Sequence, residues 1–158
     1  MKILAALLSN TVLIATICSW IAGQGSKVIL LALRGKLTKE RLTGGGGMPS
    51  GHTATVSGLA TSIAMVEGLD SSVFSLALFF AILAVYDALG VRYVTGEQGR
   101  VLNRMQKAEK EKLLADGKEN EPPEIIKFPE SMGHTLPEVI VGMILGIAVS
   151  AAVTALLR

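Results

Sequence analysis

Charge is missing from three long stretches of this chain. Residues 3–26, 71–86 and 139–157 contain no Asp, Glu, Lys or Arg, while residues 92–130 hold most of the charged side chains. An aqueous domain spreads charge along the outer face of every helix, so this segregation leaves few solutions. An uncharged apolar run of about 20 residues matches the thickness of a bilayer, and in lipid such a segment satisfies its own backbone as a helix. The charged fraction, 18%, also falls short of the roughly 25% of an ordinary soluble domain.

Four apolar stretches approach membrane length: Ile3 to about Ala22, His52 to about Val66, Val73–Val91 and Pro137–Leu157, with a shorter segment at Gly25–Leu33. The expected fold is therefore all-α, a polytopic membrane helix bundle of about four to five transmembrane helices. With 158 residues it forms one domain, interrupted by a soluble insertion at residues 93–133. Lys2 ahead of the first stretch and small residues after it resemble a signal peptide, but the run is longer than such a segment needs. The rest of the chain is equally apolar, so a retained helix is expected. Within the insertion, Glu97 to about Ala115 reads as a charged, mildly amphipathic helix, and "DGKENEPPE" after it as an exposed loop.

Two stretches carry a four-residue repeat of small or polar side chains. Thr53, Ser57 and Thr61 share one face of the second helix; Glu138, Gly142, Gly146, Ser150 and Thr154 share one face of the last. Small residues at that spacing let helices approach closely in lipid. Packing is the expected role of Gly142 and Gly146.

Counting crossings puts loop 23–51 and segment 92–135 on one side and both termini on the other. The shared side holds Lys27, Arg34, Lys36, Lys39, Arg41 and eight further basic residues from Arg92 to Lys127, against only Lys2 and Arg158 opposite. By the positive-inside rule the shared side is cytoplasmic, which makes the expectation an integral protein of the plasma (inner) membrane. A net charge of +2 with no aromatic-basic patch gives no support to nucleic-acid binding. Cys18, the single cysteine, follows Ile17 rather than a small residue, so it reads as a buried small hydrophobe and not a lipidation site.

The charged side also gathers the candidates for chemistry. "GGMPSGHTAT" places glycines and Ser50-Gly51-His52 at the start of a helix, where free N–H groups and a positive dipole end suit a phosphate. Lys27 and Arg34, seven apart, stand two helical turns from each other on nearly one face. Arg92 ends the third stretch at the same level, with Asp87 nearby as a structural ion-pair partner or a direct participant. His134 and Glu138 are four apart, so the carboxylate can orient the imidazole. Both histidines of the chain thus fall on one membrane face.

Taken together, "KVILLALR", "PSGH" and "HTLPEVIVG" resemble, in order, the three motifs of the type-2 phosphatidic acid phosphatase superfamily. With "YDALGVR" the pattern is similar to a divergent membrane branch related to acid phosphatases and vanadium-dependent haloperoxidases, and it spans residues 27–142. The resemblance implies that His134 is the nucleophile, forming a phosphohistidine, that Glu138 holds its ring, and that His52 protonates the leaving oxygen. It implies that Lys27, Arg34, Ser50, Gly51 and Arg92 bind phosphate, with Asp87 in support, and that no metal or cofactor takes part. A membrane lipid phosphatase acting on a phosphomonoester or diphosphate follows, with a phosphorylated lipid as substrate and membrane lipids as surroundings. The alternative is a non-catalytic protein that binds or transports phosphorylated lipids.

This sequence departs from the family pattern in four ways. Gly35 stands where the family has Pro, Val91 where it has Ser, and Glu138 where it has Asp. In addition, 41 residues separate Arg92 from His134 in place of five, which makes Arg100 and Arg104 candidate substitutes. The chain offers fewer spans than the family usually has, so a homo-oligomer that completes the pocket is the working hypothesis.

Overall fold

The computed structural model describes residues 2–35, 46–116 and 126–158. Lys36, Lys39, Arg41, the first two glycines of the 44–47 run and most of the 116–124 loop lie outside the described residues. Six helices follow in order: α1 Lys2–Leu8, α2 Thr11–Leu33, α3 Gly51–Glu67, α4 Ser72–Leu89, α5 Val91–Ala115 and α6 Leu136–Leu157. Among the described residues there is no strand.

Three stretches are long and apolar enough to cross a membrane: Thr11–Leu33, Ser72–Ala115 (through its apolar α4 half) and Leu136–Leu157. The fourth expected span, α3, has 17 residues and rises about 25 Å, short of a bilayer core of about 30 Å. It is instead the most enclosed helix, with Gly51, Thr53, Ala54, Val56, Ser57, Gly58, Ala60, Ser62 and Ile63 all buried. The N-terminal region also differs from expectation. One helix was expected over residues 3–22 and a separate short one over 25–33; the chain breaks at Ser9–Asn10, and α2 then runs unbroken to Leu33. Asn10 is the reason, since its side chain accepts from the Leu13 N–H at 3.0 Å and starts a new helix.

Helices α2, α3 and α6 pack tightly on one another, and α4 covers α3. Small residues set the register of α3 against α6. A Cβ on Gly142 would overlap the Ser50 carbonyl, and one on Gly146 would overlap the Ala54 carbonyl. One step further, the Ser150 hydroxyl donates to the Gly58 carbonyl at 2.6 Å. The pairs 142·50, 146·54 and 150·58 advance together, so the two helices run in the same direction. Helix α2 runs the other way: Ser19 donates to Gly146 O at 3.2 Å, Gly23 lies against Ala54 and Gly51, and Lys27 reaches Gly47. This parallel and antiparallel arrangement brings Lys27, Ser50, His52, Arg92 and His134 to one end of the bundle, as crossing counts require. At the opposite end, Ala60, Ile63 and Ala77 form a small apolar cluster with Val12, Leu59 and Phe74. There the Arg158 guanidinium donates to the Met65 and Val66 carbonyls, a cation on the negative end of α3.

Candidate phosphate site

The Pro-Ser-Gly-His turn is built as a helix start. Ser50 is fully buried, and its Oγ accepts from the Thr53 N–H at 3.3 Å and the Thr53 hydroxyl at 2.9 Å. Ser50, expected to hold phosphate, is here the N-cap of α3 and does not line the cavity beside His134. The Ser50 N–H donates to the Glu138 carbonyl at 3.0 Å, which ties the turn to the first turn of α6. Gly51 is buried against Gln24, and a Cβ there would stand 2.7 Å from the Gln24 amide nitrogen. Ahead of the turn, Gly46 donates to the Ser131 carbonyl at 3.0 Å. Gly47 has φ +108°, with the Lys27 side chain where a Cβ would come. Only glycine suits both demands at once.

His134 precedes α6 by two residues and is held from both sides. Its N–H donates to the Ala88 carbonyl at the end of α4 at 3.0 Å. Gly133 before it, at φ +77°, lies against the backbone of Arg92 and Tyr93. The ring is 4% exposed, and among the described residues neither nitrogen has a hydrogen-bond partner. Nδ1 stands 3.4 Å from Glu138 Oε2, an ion-pair distance but too long for a strong hydrogen bond. The same oxygen accepts the Thr135 N–H at 2.9 Å, which fixes the carboxylate beside the ring. Burial pushes the His134 pKa below its ordinary 6.5; the Glu138 carboxylate opposes that, while His52 and Lys27 add to it. The ring is therefore neutral at pH 7, with Nε2 on the side away from Glu138. The two imidazole centres are 6.3 Å apart at an interplanar angle of 61°. His52 has an exposed side chain, yet desolvation of its ring, and then the positive charges of Arg92 and Lys27, lower its pKa below 6.5, with Asp87 opposing them.

A cavity of about 260 Å³ opens beside His134, lined by Lys27, Gly46, Gly47, Glu138 and, from α5, Tyr93, Glu97 and Arg100. Of the expected phosphate ligands, Lys27 lines it and is buried. Arg34 does not: it is exposed, at the C-cap immediately after the last residue of α2. Arg92 does not line it either, because its Nε is bound to Asp87 Oδ2 at 2.5 Å on a half-exposed surface. Arg100, the candidate substitute, faces the cavity, with Nη1 on Glu97 Oε1 at 2.6 Å and Nη2 3.5 Å from the Glu130 carbonyl. Arg104 is exposed and outside it. Among the described residues no three His, Cys, Asp or Glu side chains converge as a metal site would require.

Sequence reasoning missed the way α5 holds the strand-like segment that leads into His134. Asn103 donates to Phe128 O at 2.9 Å and accepts from Phe128 N–H at 3.0 Å. Gln106 does the same for Ile126, at 3.0 and 2.9 Å. Each amide side chain imitates the edge of a β-strand for alternate residues of the segment. Gly96 and Gly99 let it lie close, since a Cβ on Gly96 would stand 2.7 Å from Met132 O. The signal was present as Gly96, Gly99, Asn103 and Gln106, spaced three or four apart and so on one face of α5. It reads as ordinary helix surface until the segment that covers it is known.

The fold and the site together define an integral membrane protein whose polar end holds two histidines and a capped glycine turn, with a cavity lined by His134, Lys27, Arg100, Gly46 and Gly47 but not by Ser50, Gly51 or His52. The chain matches the Divergent PAP2 family over residues 8–149 and belongs to it. It is also 35% identical over 157 residues to the uncharacterized membrane protein YuiD of Bacillus subtilis (strain 168), an alignment covering 89% of this chain and 92% of that one. No solved structure matches it.

Proposed function

We propose that this protein is a membrane lipid phosphatase that hydrolyses a phosphomonoester or diphosphate through a phosphohistidine, without a metal, as the acid phosphatase and haloperoxidase relatives of its family would suggest. The observation that carries the reading is the buried His134, with Glu138 Oε2 3.4 Å from one ring nitrogen, lining a cavity with Lys27 and Arg100. Nε2 of His134 attacks phosphorus, and the bond to the leaving oxygen breaks as His52, in its protonated imidazolium form, gives that oxygen a proton and becomes neutral. Water, deprotonated by His52, then cleaves the N–P bond and restores both rings. Lys27, Arg100 and the N–H groups at the start of α3 stabilise the charge on the phosphoryl oxygens. The whole chain acts as one domain, with the site and the 93–133 insertion on the cytoplasmic side.

One observation favours a second reading, a non-catalytic binder or carrier of phosphorylated lipids. Arg34 and Arg92 stand off the cavity, and Glu97 and Glu130 line it beside Glu138, so the positive field is weaker than the family motifs imply. Phosphate release from a panel of lipid phosphates, with EDTA present, separates the two. Turnover that His134→Ala abolishes, with a trapped phosphohistidine in wild type, supports the enzyme. Lipid-phosphate binding with no turnover in either form supports the carrier and sinks the phosphatase.

A further inference from the structure

A second cavity, of about 440 Å³, runs along the other side of α3, between α3, α4 and α6. It starts at Thr53, the residue after His52, and ends at Met65. Twelve residues of helix separate these ends, a length of about 18 Å. One leaflet of a bilayer has a hydrocarbon depth of about 15 Å, half of the full core. The groove is thus as long as one lipid chain, and its upper end, at Thr53, is one residue from His52, whose ring centre is 6.3 Å from that of His134.

Its walls are dry despite their sequence. Thr53, Ser57 and Thr61 form the polar stripe of α3, and all three line the groove. Each turns its hydroxyl away: Thr53 donates to Ser50 Oγ at 2.9 Å, Ser57 to Thr53 O at 2.7 Å and Thr61 to Ser57 O at 2.8 Å. What they present is methyl and methylene surface, continued by Phe74 and Ile82 of α4 and Ile147 of α6. Small polar residues make the groove wide without making it wet.

We infer that this groove seats one hydrocarbon chain of the lipid whose phosphate the His134 cavity holds. The inference rests on the lipid-phosphate reading of that cavity. The chain descends from the start of α3 beside His52, so head group and tail are read by opposite sides of one helix. A substrate with a chain of leaflet length uses the whole groove; a short-chain analogue leaves most of it empty.

The test uses the full-length protein in vesicles with two photoactivatable lipids, a phosphatidate and a diacylglycerol that carry the same mid-chain diazirine. Labelling of α3 between Ala60 and Met65 and of α4 between Phe74 and Ile82, at least about threefold stronger for the phosphatidate, is expected. Ala81→Trp, which fills the groove, removes that labelling and raises KM for long-chain phosphatidate about tenfold, the equivalent of about two buried methylenes. The same variant leaves dihexanoyl phosphatidate within about twofold, which also shows that it folds. Equal labelling by the two lipids, or labelling centred on the outward Phe79 and Leu83, means bulk lipid contact and overturns the inference. Absence of turnover in wild type with phosphate-dependent labelling intact refutes the phosphatase alone and leaves the groove standing.

Discussion

The backbone N–H of Ser50 donates to the carbonyl of Glu138 at 3.0 Å, so the glycine turn and the second histidine motif are one unit. Glu138 joins them twice: its carbonyl holds the turn, and its carboxylate holds Thr135 and stands beside His134. The contact needs a close approach of α6 to α3, which Gly142 permits at Ser50 and Gly146 at Ala54.

Gly142→Ala is therefore expected to separate the two motifs. Its Cβ would overlap the Ser50 carbonyl, and overpacking of this kind costs about 1–3 kcal/mol. Gly25→Ala is the matched control in another membrane helix. Nothing lies within 4 Å of a Cβ at Gly25, so that change is neutral or stabilises by up to about 1 kcal/mol through helix propensity. Thermal unfolding of both variants in detergent checks the ordering. Equal midpoints would refute a packing role for Gly142.

His134 sets an acid limit. Burial holds its pKa below 6.5, so the unfolded chain takes up a proton before the folded one does. Stability from this residue is intact above about pH 6.5 and declines as pH falls toward the folded value, because the unfolded state then binds more protons. Activity follows the same order, with the neutral nucleophile persisting below pH 6.5. In Glu138→Gln the carboxylate that raises the pKa is gone, so the acid limb of kcat moves lower still while kcat falls about 10²-fold or more with the loss of orientation. A limb above pH 6.5 in wild type would contradict this assignment.

Much of this arrangement is legible from residue order alone. The apolar stretches Val73–Val91 and Pro137–Leu157 locate α4 and α6 to within two residues at each end, and the 142·146·150 repeat identifies the buried face of α6. Crossing counts put Lys27, His52 and His134 at one end without any coordinates. What stayed hidden depends on contacts between distant segments. The Arg92–Asp87 ion pair is one of the two readings that the sequence leaves open; that it keeps Arg92 off the cavity was not legible. Arg34 continues the Lys27 face on paper, yet α2 ends before it and the side chain points clear of the cavity. The break at Asn10 was missed because an apolar run hides a single capping residue.

Arg100 rather than Arg92 is expected to carry the charge that stabilises the transferring phosphoryl group. Arg100→Ala should lower kcat/KM by about 10²–10³-fold, in the range for loss of one oxyanion donor. Arg92→Ala should cost less and should equal Asp87→Asn within a double-mutant cycle, since the two form one ion pair. Steady-state kinetics on the same lipid phosphate decide it. A larger loss for Arg92→Ala would return the role to the residue that the motif order suggests.

The α5 amide pair holds the segment that delivers His134, and this gives a prediction independent of turnover. Asn103 and Gln106 each make a donor and an acceptor bond to alternate residues of that segment. The Ile126 and Phe128 amides should therefore exchange slowly with deuterium in wild type, though they lie just after a polar loop. In Asn103→Ala the Phe128 N–H and C=O lose their partner, a change of about 1 kcal/mol per bond, and exchange at both amides should accelerate about tenfold or more. Because Gly133 and His134 are also fixed to α4 and α5 by backbone contacts, His134, the proposed nucleophile, loosens without leaving the site. The kinetic consequence is a lower kcat with KM nearly unchanged, and Asn103→Gln, with the amide retained on a longer stem, should recover only part of it. If Asn103→Ala left both exchange and kcat as in wild type, α5 would have no part in positioning His134.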